Sequence, residues 1–381
     1  MRQINQTFTM TYDFPVCFDR GTLKPDNTLL VDILTRAGDG PHRVLPVIDD
    51  EVLKGNPDLL TQLREYAKHH GEHLSLIEPP LMVRGGEISK SDPKEVDEFY
   101  QRTQTDRIDR HSFALVIGGG AVIDAMGYAA ATAHRGIRLI RMPTTVLAQN
   151  DAGIGVKNAI NYRGRKNYLG TFATPFAVLN DFELLDSLPE RERVAGMAEA
   201  VKVALIRDGE FFNWLYEARD RLAAFEPEAM EYMIIRCAEL HLEHIRTSGD
   251  PFEQGSARPL DFGHWCAHRL EELSGSELRH GEAVAIGIAL DSLYSHARGS
   301  IDTPTLARIR ATLEGVGFSL SHPALDALDV ELALQEFREH LGGRLCITLL
   351  LAAGKAEEVD HIELATMQDC RRRLLEDAWP L

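Results

Sequence analysis

The chain has 381 residues, 44% of them hydrophobic, which is enough for a sizeable core and, by length, about two domains. Its formal net charge of -17 excludes nucleic acid and anionic membrane surfaces as partners, since both are read by clustered Lys and Arg; any anion must be held by a few placed basic residues. The five cysteines (Cys17, Cys237, Cys266, Cys346, Cys370) are dispersed and lack a CxxC pair, which argues against a disulfide framework and fits a reducing cytoplasm.

The opening stretch MRQINQTFTMTYDF alternates polar and apolar residues, which predicts a strand with Phe8, Met10, Tyr12 and Phe14 on one face and not the h-region of a signal peptide. No run along the chain is long and apolar enough to cross a bilayer. Up to about residue 185, short β-rich runs such as RVLPVID (43–49), FALVIGGG (113–120) and IRLIRMPTT (137–145) alternate with helical segments. That pattern predicts an α/β domain over 1–185. From 186 onward long helical periodicities take over, with LCITLLLA (345–352) as a late strand signal, so a mainly helical domain is expected over 186–381.

Within the first domain, FALVIGGGAVIDAMGYAAA reads as a strand, three glycines and a helix carrying Asp124. Glycines at such a turn let backbone N–H groups and the positive helix end approach a pyrophosphate, although the spacing is not GxGxxG and a plain tight turn fits equally well. Asp49, at the end of LPVID, is placed either to hold ribose hydroxyls or to cap a helix. Between the domains, QNDAGIGVKNAINYRGRKN is expected to be a polar loop in which Asp151, Lys157, Lys166 and Asn167 face an anionic substrate or simply water.

In the second domain His264 and His268 stand four apart, on one helical face, and His280 opens a further helix that an αα-hairpin could fold back alongside. Glu199 and Lys202 are the charges inside the apolar run GMAEAVKVALI, where an unpaired charge costs several kcal/mol, on the order of 3–5, unless a partner or metal compensates it. Two histidines and a carboxylate with an open position make a catalytic divalent-metal site; the alternative is ordinary core-edge histidines.

Several motifs coincide: GGGAVIDAMGYAAA, MPTTVLAQNDAGIGVKNAINYRGRKN, LPERERVAGMAEAVK, DFGHWCAHRLE and LRHGEAVAIGIAL. Over most of its length the chain resembles the sugar-phosphate cyclases, the superfamily of 3-dehydroquinate synthase and the sedoheptulose 7-phosphate cyclases. The resemblance implies an α/β NAD-binding domain, a helical metal-binding domain, an active site in the cleft between them, and a homodimer. It implies Zn2+ or Co2+ on Glu199, His264 and His280, and a sugar phosphate held by Lys157, Asn167 and His268 with Arg135 reaching in from the partner subunit. Asp151 and Lys202 would contact substrate hydroxyls, and Asp49, Glu87, Lys90, Gly118, Gly119, Asp124, Thr144, Thr145, Lys166, Ser187, Leu188 and Glu192 would bind NAD. The implied chemistry is transient oxidation by NAD, loss of inorganic phosphate, return of the hydride and aldol closure to a carbocycle.

One stretch departs from dehydroquinate synthase. GDPFEQGSARPLDFGH carries Asp261 where that enzyme has asparagine, Arg258 one position closer than its arginine, and Glu243 near the place of a carboxylate-binding lysine. An acid there repels a carboxylate, so the expected substrate keeps the seven-carbon ketose phosphate and lacks the acid group, as sedoheptulose 7-phosphate does. His268 counts the other way, because valiolone-type cyclases commonly have another residue there. The competing readings are a 3-dehydroquinate synthase, a metal-dependent alcohol dehydrogenase of the glycerol dehydrogenase type, and a non-catalytic sugar-phosphate binder.

Overall fold

The computed structural model describes residues 2–247, 259–275, 277–340, 343 and 345–380. The chain divides into two compact units, one running to Pro143 and resuming over Val156–Asp181, the other made of Thr144–Gly155 and Phe182 onward. The sequence reading drew a single boundary at 185/186; the twelve residues 144–155 instead pack with the helices, because the turn Ala148–Ala152 lies against helix Pro227–Thr247.

The first unit is built on a parallel sheet of seven strands: β1 (Val16–Asp19), β2 (His42–Asp49), β3 (Leu74–Leu76), β4 (Leu81–Val83), β5 (Phe113–Gly118), β6 (Arg138–Pro143) and, later in the chain, Ala177–Asp181. Parallel strands are covered on both faces, and β5 accordingly is an unbroken buried run with no alternation. The order places β2 beside β5, with β3 and β4 on one side and β6, Ala177–Asp181 and β1 on the other. The order in which strands are added therefore reverses between the parallel neighbours β2 and β5, and the carboxyl ends of these two strands form the topological switch point where α/β sheets bind ligands.

The alternating N-terminal stretch does not form the expected strand. β1 starts only at Val16, and Ile4, Phe8, Met10 and Tyr12 are exposed on residues without regular structure. Alternation marks a segment able to cover one face of a sheet, but pairing with Ala177–Asp181 starts only at Val16.

The second unit is mainly helical. Helix Met197–Arg207 is buried at every position from Met197 to Ile206, and helix His280–Ala297 is buried all round from Ala283 to Ser295, as its nearly uninterrupted apolar sequence requires. Helices Pro227–Thr247 and His264–Leu273 pack around them, and an antiparallel pair of strands, Ile347–Ala352 with Lys355–Val359, completes the unit.

Candidate metal and nucleotide sites

Helix Met197–Arg207 presents Glu199 and Lys202 from its buried face. Helices His264–Leu273 and His280–Ala297 form the αα-hairpin, and two glycines let them cross closely: a Cβ on Gly287 would lie 1.9 Å from Gly263 O, and Gly263 itself has φ +77. His264 and His280 both open their helices, so both rings reach the same corner, with centroids 5.5 Å apart. His264 Nε2 lies 3.6 Å and His280 Nε2 3.8 Å from Glu199 Oε1. These spacings approach the roughly 3.3 Å ligand edge of a tetrahedral site with bonds of about 2.0–2.1 Å.

The donor set fits a divalent cation for a second reason. Both oxygens of Glu199 are buried without a well-formed hydrogen bond, although Lys202 Nζ lies against Oε2. Burial, the Lys202 ammonium and the neighbouring imidazoles hold His264 well below the usual histidine range, and its Nδ1 is 3.1 Å from Phe262 O. A neutral ring donating from Nδ1 turns the lone pair of Nε2 toward a carboxylate oxygen. Two acceptors facing each other in a buried corner are stabilised by positive charge placed between them.

The corner is polar beyond these three residues. Asp151, in the π-helical turn Ala148–Ala152, pairs with His241 Nδ1 at 2.7 Å. Its carboxyl lies far below the usual carboxylate range: burial works to raise it, and the charges of His241 and Lys202 outweigh burial. For Lys202 the charges of Glu199, Asp151 and Asp261 overcome burial and raise its pKa, so it carries a full ammonium. Beneath, Asp291 accepts from Gly263 N at 3.0 Å and from the Trp265 indole at 2.8 Å, tying the start of the His264 helix to the central helix; burial pushes its carboxyl up to about 7.

In the first unit, Asp49 ends β2 and Gly118 ends β5, side by side at the switch point. Helix Gly120–Thr132 begins at once, with Gly119 as its N-cap, so the N–H groups of its first turn face this crevice. Gly118 is required, because a Cβ there would lie 2.8 Å from Val122 Cγ1. Asp49 does cap a helix, accepting from Glu51 N at 2.9 Å, while it stands where a ribose carboxylate is expected; burial raises its carboxyl. Lys90 Nζ reaches Asp124 Oδ2 at 2.7 Å, and burial outweighs that partner in raising the Asp124 carboxyl.

Residues 80–195 match the family described as 3-dehydroquinate synthase N-terminal, and residues 196–340 the one described as 3-dehydroquinate synthase C-terminal. This chain belongs to the sugar-phosphate cyclase superfamily. It is 28% identical to ValA, the 2-epi-5-epi-valiolone synthase of Streptomyces hygroscopicus subsp. jinggangensis 5008, solved with NAD+ and Zn2+ bound, over 98% of this chain and 99% of that one, with a TM-score of 0.87. A 2-deoxy-scyllo-inosose synthase complexed with carbaglucose-6-phosphate, NAD+ and Co2+ shares the fold at 21% identity and a TM-score of 0.72, covering 95% of this chain and 96% of that one. A probable glycerol dehydrogenase from Sinorhizobium meliloti 1021 shares it at 16% identity and a TM-score of 0.60, over 97% and 99% of the two chains.

Other residues of this cyclase-family chain fall differently from the sequence reading. The stretch expected to be loop contains a β-hairpin, Lys157–Tyr162 paired with Arg165–Phe172, closed by Arg163 and Gly164 with φ of +49 and +80. An Arg-Gly pair in a tight turn was the unrecognised signal. Lys157 and Lys166 are exposed on that hairpin, and Asn167, also exposed with φ +52, donates its N–H to Asn161 Oδ1 at 2.8 Å. Glu87 accepts from Asn161 Nδ2, and Arg135 is exposed with φ +64.

In the helical unit Thr144 is buried, the Thr145 hydroxyl caps Ala148 N, Ser187 and Leu188 lie in the turn after Phe182–Leu185, and Glu192 pairs with Arg279 at 2.9 Å. Asp261 ends the short turn Pro259–Asp261, while Arg258 lies outside the described residues. Glu243 is not part of the corner: it is exposed and pairs with Arg246 at 2.7 Å. Sequence reasoning missed His241 and Glu271. His241 follows Cys237 by one helical turn on the buried face of Pro227–Thr247, and Glu271 lies on the stripe of His264 and His268, so periodicity could have found both.

Proposed function

We propose that this chain is a carbon–oxygen lyase of the cyclase type: with NAD and a divalent cation (Zn2+ or Co2+) it eliminates phosphate from a seven-carbon ketose phosphate lacking a carboxylate, such as sedoheptulose 7-phosphate, and closes a carbocycle by aldol addition. The observation that carries this reading is the convergence of Glu199, His264 and His280 on one buried corner beside Lys202 and the Asp151–His241 pair. The likeness to a valiolone synthase solved with NAD+ and Zn2+ supports the same cofactors.

Glu199, His264 and His280 hold the cation, and Gly118, Gly119 and the start of helix Gly120–Thr132 receive the pyrophosphate of NAD. Asp49, Glu87, Lys90, Asp124, Thr144, Thr145, Lys166, Ser187, Leu188 and Glu192 complete the cofactor contacts. When bound, NAD would supply a reversible hydride acceptor and the cation a Lewis acid for the hydroxyl being oxidised. Lys202, fully charged, donates to a substrate hydroxyl and stabilises negative charge developing on its oxygen. Asp151, held ionised and oriented by His241, accepts from a second hydroxyl. Lys157, Asn167 and His268 bind the phosphate and ease its departure, with Arg135 contributed across a homodimer.

The substrate assignment rests on charge. The corner gathers the carboxylates of Asp151, Glu199 and Asp261 around Lys202, an environment that accepts hydrogen bonds from hydroxyls and repels a further carboxylate. Phosphate release is to be measured with sedoheptulose 7-phosphate and with 3-deoxy-arabino-heptulosonate 7-phosphate. Turnover of the first alone is expected; turnover of the acid alone overturns the substrate assignment and makes the chain a 3-dehydroquinate synthase.

A further inference from the structure

His264 and His280 present the same atom, Nε2, to Glu199, but their other ring nitrogens are held differently. His264 Nδ1 faces a backbone carbonyl, Phe262 O, at 3.1 Å, a contact fixed by the turn before the helix. His280 Nδ1 faces a side chain, Glu271 Oε1, at 2.9 Å. Glu271 is 8% exposed, reaching His280 from the helix that also carries His264, two turns further on. A carboxylate only accepts hydrogen bonds, so this contact places a proton on Nδ1 and leaves Nε2, which faces Glu199, as the ring nitrogen that can ligate a cation. His280 needs such a holder more than His264 does, since its side chain is 32% exposed against 12% for His264.

We propose that Glu271 is a positioning residue for metal binding: through His280 Nδ1 it fixes the ring's tautomer and rotation, and its negative charge makes Nε2 a stronger donor to the cation. The proposal rests on the metal reading of the Glu199 corner. One other arrangement is available in the same place, because donor atoms of His268, Glu271 and His280 also lie within 4.8 Å of one another and could ligate an ion of their own. The three imidazoles cluster, with the His268 and His280 centroids 6.0 Å apart. The two arrangements differ in stoichiometry. A positioning Glu271 gives one ion per chain, and a ligating Glu271 gives two.

The test is zinc titration of the metal-free full-length chain against a chromophoric chelator, for the wild type and the variants Glu271→Leu and Glu271→Gln, with folding of each metal-free protein checked by circular dichroism. Glu271→Leu is expected to bind one zinc about 10- to 100-fold more weakly than wild type. Glu271→Gln keeps an acceptor but not the charge, and should fall between; it also decides the matter if Glu271→Leu does not fold. Unchanged affinity in a folded variant overturns the proposal, as does uptake of two ions by the wild type with loss of one in Glu271→Leu. A wild type that binds no zinc instead refutes the metal reading of the corner.

Discussion

Each unit buries one lysine against one carboxylate, and the two pairs behave differently. Lys90 and Asp124 meet at 2.7 Å with side chains 6% and 20% exposed, and Lys202 and Glu199 are in contact with 5% and 1% exposed. In the first pair the ammonium answers the carboxylate by a well-formed hydrogen bond. In the second, the carboxylate keeps an oxygen turned to two imidazole nitrogens, and the ammonium is shared with Asp151 and Asp261. A buried ion pair is thus not itself a sign of catalysis; lone pairs left facing other lone pairs are.

Substitutions in the two pairs sharpen that contrast. Glu199→Gln should have the largest effect, lowering zinc affinity more than ~100-fold and turnover by about 1000-fold or more, since it removes the charged ligand itself; zinc titration and phosphate release measure both. Retention of zinc by this variant would erase the distinction between the pairs. His241→Leu leaves Asp151 without its partner, and a fall in kcat of about 10- to 100-fold with zinc affinity unchanged is expected. Asp124→Asn should weaken NAD binding by about 10-fold, read by fluorescence titration, and leave zinc affinity untouched.

The smallest expected effect is a pH-dependent one. Burial raises the folded-state pKa of Asp291 from 3.8 to about 7, so the folded chain holds a proton that the unfolded chain releases near pH 4. Stability therefore declines as pH rises across this window, and the penalty is complete above about pH 7. Asparagine at 291 carries no such penalty. The melting temperature of Asp291→Asn relative to wild type should rise between pH 5 and pH 8, beneath a constant loss from one donor left unmatched; a pH-independent difference contradicts the account.

The convergence of Glu199, His264 and His280 was legible because its signals are local. Two histidines each open a helix, and charges interrupt an otherwise apolar run at Glu199 and Lys202. The glycine turn was legible in part: three glycines after a buried strand say that backbone must come close, but the switch point that gives the turn its meaning exists only once β2 is seen beside β5. The N-terminal stretch misled, since alternation describes a capacity to cover a surface and residues 4–12 carry their apolar side chains exposed. The hairpin after Val156 was hidden by polar composition and an Arg-Gly turn. Glu243 misled through its numbering, because helix Pro227–Thr247 turns His241 inward and Glu243 outward.

The central claim is a cyclase whose oxidation is repaid within one turnover. Its most direct test is to follow phosphate and the absorbance of NADH together while the zinc- and NAD-loaded protein consumes sedoheptulose 7-phosphate. Phosphate released in step with substrate consumed, with no lasting gain of NADH, is the predicted result. NADH accumulating in step with substrate, with no phosphate released, would show a dehydrogenase and contradict it.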